Sequence, residues 1–472
     1  MRILANGINY STGEPLISAL DEQEFARRIE GSLPQNATRV RVQEQRSSVA
    51  TTFRGEIERQ RTVDRGDPRQ AGWTYLIHAA DPNRKEIEAA LKPLAAHRGM
   101  PDSQSPLIFA GEEDWAKWLS ETYMSIPLRK RPYYVLIAGS PELIPFRFQA
   151  MLDVAGCVGR VDFESVDDLK TYVDKVIRLE EAPAPATTAD VLFFATDHGI
   201  RIDGSYDATY FSRRYMVEPL VKFVESTGLF NVTAIIGETA TKPNLVEALR
   251  KSTPALVYTA SHGLGAVDEP LAVQKRLNGA ICCQRTGKPE SYLFSGDDVP
   301  VSEPFLEGAV FFQFACFGYG TPAVSEFAHW QLGVPENKLP VSFTAALPKR
   351  LLALPRGPIG FIGHVDTAWL HGFDDPNKPV LETGWHPRLQ PFIEAVDTLL
   401  KVQPPGLAMG DFNTRYNIMN ARLTEVLEKK ALGIYEDTPA TRQKLATDFI
   451  LRSDAQNYMV FGDPGAQVRI SD

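Results

Sequence analysis

Two residues of this 472-residue chain join a reactive side chain to a local sequence that could present it. Leu256-Val-Tyr-Thr-Ala-Ser-His-Gly263 is an apolar run that delivers His262, and Ala309-Val-Phe-Phe-Gln-Phe-Ala-Cys-Phe-Gly318 is another that delivers Cys316. A thiol near its free pKa of about 8.5 is mostly protonated at neutral pH, so a cysteine nucleophile needs a base. An imidazole can take that proton and later give one to a leaving amine. Gly263 would let the main chain turn away, so that its N–H, beside that of Cys316, could face a developing oxyanion. Gly318 would allow the same tight exit after the cysteine. The chemistry implied is acyl transfer through a thioester.

Such a pair needs neighbouring strands to carry it. Short runs that are apolar on both faces belong inside a parallel sheet covered by helices, and sites in such sheets form beyond the carboxyl ends of the strands. From about residue 187 onward, strand and helix patterns alternate as a doubly wound sheet requires. Strands are expected at Val191–Thr196, Asn231–Ile236, Pro358–His364 and Tyr458–Phe461. Helices are expected at Asp207–Ser226, Thr241–Lys251, Val324–Leu332, Leu347–Leu354, His386–Val402, Asp411–Lys430 and Thr438–Arg452. Upstream, strands are expected at Arg39–Gln43, Ser47–Phe53, Trp73–His78 and Tyr133–Ala138. Helices there are expected at Pro82–Arg98, at Glu112–Tyr123 and from the Ser165 capping box to Glu181. The Ala-Pro-Ala-Pro stretch within residues 182–189 reads as a linker. The fold class is therefore α/β, a mostly parallel sheet with helices on both faces. Three parts are expected: an N-terminal module at 1–110, a smaller α/β subdomain at 111–186, and a catalytic domain at 187–472.

His262-Gly263 and Ala315-Cys316-x-Gly318 resemble the caspase, gingipain and CHAT cysteine peptidases, which share a His–Cys dyad. Caspases carry Gln-Ala-Cys-x-Gly with the histidine roughly 50 residues upstream; here the gap is 316 − 262 = 54. Phe314 stands between Gln313 and Ala315, and Phe317 at the variable position, as departures. Tyr134-Val-Leu-Ile-Ala-Gly-Ser-Pro-Glu-Leu-Ile-Pro145, Val158-Gly-Arg-Val161 and Val460-Phe-Gly-Asp-Pro464 are similar to the gingipain branch. The resemblance spans roughly residues 130–472, with no counterpart for 1–110. It implies a caspase-like fold and a cysteine endopeptidase, latent until activated. Through CHAT-like cores it also implies a place in prokaryotic defence or regulated cell death. The competing readings are an inactive scaffold that binds a partner in the same cleft, and a thiol acyltransferase or amidase acting on a small molecule.

Specificity is expected in three loops. His198-Gly199 copies the His-Gly pair and is the rival of His262. By resemblance, the loop after the first strand helps to form the primary pocket, which makes Asp197, Arg201, Asp203 and Asp207 candidate substrate readers. By resemblance again, Trp369 is a pocket wall with Asp366 at its base. An acid beside an aromatic wall would select Arg or Lys before the scissile bond, whereas Arg201 in that place would select an acidic residue. Residues 264–304 read as a long loop with Lys275-Arg276 and Arg285-Thr-Gly-Lys288, a candidate for self-cleavage or a movable lid. A group that orients His262 is expected at Asp197 or Glu238.

Composition bounds the rest. A net charge of −9 argues against nucleic acid or an anionic membrane as the main partner. No apolar run is long enough to span a bilayer. The first residues lack a secretory apolar stretch, so a cytoplasmic location is expected. Four cysteines (Cys157, Cys282, Cys283 and Cys316) suit a reducing compartment. Adjacent Cys282 and Cys283 have no ligand partner at metal spacing, and no nucleotide fingerprint is present. No metal or cofactor is expected. The expected partners are a protein or peptide substrate and a regulatory protein.

Overall fold

The computed structural model describes residues 2–32, 63–183, 189–201, 203–251, 253–285, 287–301, 303–327, 340–375 and 380–468. The strands expected at 39–43 and 47–53 lie outside these, as does most of the helix expected at 324–332.

Buried apolar runs assemble into a ten-stranded sheet. From edge to edge it runs Leu107–Phe109, Trp73–His78, Tyr134–Ala138, Cys157–Val161, Tyr458–Phe461, Gly360–His364, Val310–Phe314, Leu256–Ala260, Asp190–Ala195, Asn231–Ile236. Neighbours are parallel except at one seam. Tyr458–Phe461 is parallel to Cys157–Val161 but antiparallel to Gly360–His364. The sheet is therefore two parallel half-sheets whose carboxyl edges face opposite ends of the molecule. The sheet passes without a break across the expected boundaries at 110/111 and 186/187. Trp73–His78 and Leu107–Phe109, assigned to an N-terminal module, pair into the first half-sheet, and the last strand of the chain joins both halves.

Local chemistry explains most element ends. Ser165 accepts the Asp168 N–H and opens the helix Val166–Glu181. Gly228, at φ 68°, closes the helix Glu218–Thr227 in the left-handed region. Two expected helices are less regular than their periodicity suggests. The span 207–226 is a helix at Ala208–Ser212, a wide π turn at Arg213–Val217, and a helix from Glu218. Pro219 has no N–H to offer the carbonyl four residues back, which loosens the preceding turn. Trp115–Trp118 likewise passes into a π turn at Leu119–Tyr123.

The expected loop at 264–304 is not irregular. It holds helices at Leu271–Leu277 and Pro289–Tyr292 and the short strands Ile281–Cys282 and Leu293–Phe294. Lys275 and Arg276 sit in the last turn of the first of these helices. The two strands form a small second sheet with His262–Gly265 and, from the far N-terminus, Gly7–Asn9. The N-terminal stretch is held by its own hydrophobic cluster. Ile3, Ala5, Ile17, Phe25 and Ile29 pack there with Trp369, Leu445 and Ile450.

The family-like motifs outside the dyad are scaffold. Buried Arg160 donates to Gln149 Oε1, Gly139 O and Ile144 O, fixing the turn after Tyr134–Ala138. Asp463 accepts from Trp73 Nε1 and Arg98 Nε, tying the segment after Tyr458–Phe461 to the strand Trp73–His78 and to the end of the helix Arg84–His97. All four cysteines are unpaired and buried. Among the described residues no helix is long and apolar enough to cross a membrane.

Candidate active site

Strands Leu256–Ala260 and Val310–Phe314 pair in parallel, Leu256 opposite Val310 through Ala260 opposite Phe314. His262 and Cys316 each lie two residues beyond the last pair, so the ladder itself brings them to one edge. Both are fully buried. Gly263 is needed for close approach rather than for a turn. A Cβ there would stand 2.0 Å from Cys316 O and 2.2 Å from Cys316 N. The tight exit after the cysteine is made by Phe317, at φ 59°, and not by Gly318. Asp366 has the same left-handed backbone, φ 67°, and its carbonyl accepts the Phe317 N–H at 2.8 Å. Such non-glycine residues cost on the order of 1–3 kcal/mol each and persist where surrounding contacts impose them.

His262 has a different face for each neighbour. Its Nε2 lies 2.7 Å from Asp207 Oδ1. Its Nδ1 lies 3.2 Å from the carbonyl oxygen of Asn6. Among the described residues no hydrogen bond joins His262 to Cys316. The thiol instead accepts the Ala368 N–H at 3.2 Å. Burial pushes the Cys316 thiol up, against smaller opposing bonds from the Ala368 and Asn6 main chain. Burial alone would also raise the Asp207 carboxyl. The His262 ring and the Thr209 N–H and hydroxyl outweigh it and hold Asp207 well below the usual carboxylate range.

Asp207 therefore stands at the imidazole, not in a substrate pocket as expected. Its second oxygen takes Arg201, whose guanidinium is thereby committed as well. The orienting groups expected instead are elsewhere: Asp197 pairs with Arg213, and Glu238 sits in the exposed turn Gly237–Thr239. Asp203 is exposed and closes a turn on the Ser205 N–H and hydroxyl. His198, the rival histidine, stacks on His262 with ring centroids 5.3 Å apart. Burial, reinforced by His262, pushes it down to about 3, so it is neutral at physiological pH.

The expected pocket acid and pocket wall are both otherwise engaged. Asp366 is buried with its carboxylate accepting from Ser325 Oγ, Glu326 N and Thr367 N, so it organises loops and offers no free oxygen pair to a cation. Burial raises its pKa. The Trp369 ring is buried against Phe25 and Phe327, at 6.3 and 4.8 Å between centroids. Its cluster includes Ile3 and Ala5. Asp454 Oδ1 accepts the Trp369 N–H and fixes this loop from below. The Gly263 N–H, expected to face an oxyanion, already donates to a carbonyl, that of Asn6, at 3.0 Å. Asn6 is the participant that sequence reasoning missed. The one available signal was an Asn-Gly step at residues 6–7, which reads locally as a turn.

No curated protein matches the chain. Among solved structures, the Arg-specific cysteine proteinase gingipain R is 14% identical, covering 85% of this chain and 79% of that one, with a TM-score of 0.46. A complex of Porphyromonas gingivalis RgpB pro- and mature domains is 13% identical over 84% and 80%, with a TM-score of 0.42. A third structure, described only as a protease, is 13% identical over 85% and 79%, with a TM-score of 0.45. The model of peptidase family C25 matches residues 107–469, which takes in His262, Cys316 and Asp207. That match extends over most of the 472 residues, so the chain belongs to peptidase family C25, the gingipain family, and is a cysteine-type peptidase.

Proposed function

We propose that this chain is a cysteine endopeptidase in which Cys316 is the nucleophile, His262 the proton carrier and Asp207 the residue that positions the imidazole. One observation carries the reading. The Gly263 N–H donates to a peptide carbonyl oxygen beside the Cys316 thiol, and His262 Nδ1 lies 3.2 Å from that same oxygen. Donors placed around such an oxygen stabilise the tetrahedral intermediate that follows attack. The buried thiol is neutral at rest, so its proton passes to His262 Nδ1 as the sulfur attacks, while Nε2 carries its hydrogen toward Asp207. The nearby Asp207 carboxylate favours the imidazolium that results. The peptide C–N bond then breaks, the amine leaves with the proton from His262, and water hydrolyses the thioester.

Protein substrates follow from the peptidase class. The basic preference suggested by Asp366 and Trp369 loses those two supports, because one is saturated with loop hydrogen bonds and the other is packed in a core. Latency gains support from the N-terminal strand lying across the thiol. The test is hydrolysis of a fluorogenic peptide panel varied at the residue before the scissile bond, with wild type and Cys316→Ala. Cleavage that disappears in the variant is the expected result. Cleavage of equal rate in both would sink the reading, and so would a thiol-reactive peptide electrophile that labels a different cysteine.

A further inference from the structure

The N-terminal segment Leu4–Gly7, between the short strands Arg2–Ile3 and Gly7–Asn9, passes the reactive thiol in the posture of a bound peptide. Asn6 N–H donates to Ala368 O at 3.0 Å, and Leu370 N–H donates to Leu4 O at 3.2 Å, with Ala5 bridged antiparallel to Trp369. Leu4–Asn6 thus adds as a strand to the loop that follows Gly360–His364. Beyond Asn6 the chain changes partners: Gly7, Ile8 and Asn9 pair in parallel with Gly263, Leu264 and Gly265. The changeover falls at the Asn6–Gly7 peptide bond.

That bond is also where the reactive groups meet. Its carbonyl oxygen accepts the Gly263 N–H, and His262 Nδ1 lies 3.2 Å from it. On its other side, a Cβ built on Gly7 would stand 2.8 Å from Leu16 Cδ1 and 3.2 Å from Cys316 Sγ, so Gly7 lies close to the sulfur. The Asn6 side chain is fully buried. Its Nδ2 donates to Ser261 O, the residue before His262, at 2.7 Å. Among the described residues no donor reaches its Oδ1. The Ser261 carbonyl therefore suits a small side chain with an uncharged N–H donor, and among the described residues no carboxylate is hydrogen-bonded to it.

We propose that the Asn6–Gly7 bond is a substrate of the chain's own active site, and that the primary pocket takes asparagine. The proposal rests on the assignment of Cys316 and His262 as nucleophile and proton carrier. Cys316 Sγ attacks the Asn6 carbonyl carbon and gives its proton to His262. The Asn6 C–Gly7 N bond breaks, and the Gly7 amine takes the proton from His262. Water then hydrolyses the Asn6 thioester and restores the thiol. The products are the segment that ends at Asn6, with a new carboxylate, and a chain that begins at Gly7. Residues 7–9 remain paired with His262–Gly265, while the part of the cleft along Ala368–Leu370 is vacated for another peptide.

The experiment follows the full-length protein by intact mass and N-terminal sequencing, as wild type, Cys316→Ala, Asn6→Ala and Asn6→Arg. A synthetic peptide spanning residues 2–10 is added to wild type in parallel with the peptide panel. Asn-Gly steps also rearrange without any thiol, and Cys316→Ala removes that ambiguity. The expected outcome is a wild-type chain that starts at Gly7, an intact Cys316→Ala chain, and cutting of Asn6→Ala slowed at least about tenfold. The added peptide should be cut between its asparagine and glycine. If the panel is cleaved through Cys316 while neither the chain nor the added peptide is cut at Asn–Gly, the inference fails and the peptidase assignment survives. If nothing is cleaved through Cys316, both fail. Faster cutting of Asn6→Arg than of wild type would overturn the asparagine preference.

Discussion

At the carboxyl edge of the half-sheet built on Tyr134–Ala138 and Cys157–Val161, a crevice of about 230 Å³ opens among Asp81, Gly139, Ser140, Asp162 and Glu164. At the carboxyl edge of the other half, the corresponding space is filled by His262, Cys316, Asp207 and Asn6. Both edges have parallel strands, glycine-containing turns and acidic residues. The first crevice is lined by no histidine or cysteine. Among its acids Glu164 is exposed, Asp81 is half-buried and Asp162 is paired with Lys349. The second has its polar groups out of water and pinned by left-handed turns at Phe317 and Asp366. Strand architecture offers a crevice at each edge; chemistry needs the loops beyond the strands to be locked around buried, mutually paired charges.

The sharpest way to break this comparison is to remove one group from each edge. Cys316→Ala should reduce kcat/KM by about 1000-fold or more, whereas Glu164→Gln in the opposite crevice should leave it within about twofold. A panel assay on both variants decides. Next comes Gly263→Ala, whose added Cβ has nowhere to go but into the Cys316 main chain. A loss of about 100-fold or more in kcat is expected, with a lowered melting temperature in the same sample.

Asp207→Asn should lower kcat by about 100-fold with KM little changed, because it withdraws the charge that favours the imidazolium. It also has a stability signature. The folded-state pKa of Asp207 is depressed below its unfolded value of about 3.9, so its contribution is intact above that pH and drains away as pH falls further. Wild type should melt above Asp207→Asn at pH 7, and the gap should narrow below about pH 4. Among the groups of the reactive edge, the smallest effect is expected at His198. Its folded pKa of about 3 lies below the unfolded value of about 6.5, so the unfolded chain takes up the proton first as pH falls. The neutral ring's contribution is complete above about pH 6.5 and lost downward from there. His198→Gln should keep kcat within about tenfold and flatten the melting temperature between pH 6.5 and 4.

The two edges also differ in how much of them could be read from sequence. The strands carrying His262 and Cys316 were legible because five consecutive buried residues leave a mostly apolar run, each broken once, by Thr259 and by Gln313, and a ladder with Leu256 opposite Val310 then forces the two together. The reversal at Tyr458–Phe461 was not legible, because an apolar run carries no mark of its direction. Asp207 was misassigned, since nothing local separates it from Asp197 or Asp203 as the carboxylate that folds back onto an imidazole 55 residues downstream (262 − 207). Trp369 was read as a pocket wall because its neighbours Phe25 and Phe327 are distant in sequence. Strands of two or three residues, such as Gly7–Asn9 and Ile281–Cys282, are too short for any periodicity to show.

The segment across the thiol is continuous with the helix Glu22–Ser32, which packs on the C-terminal helix Pro439–Gln456. Its grip on the cleft is therefore unimolecular. Dilution does not release it, and a free peptide must compete with an effective concentration that short tethers commonly set in the millimolar range. An inhibitor that looks weak against the uncut chain can be a strong one, with most of its affinity masked by a ligand that never diffuses away.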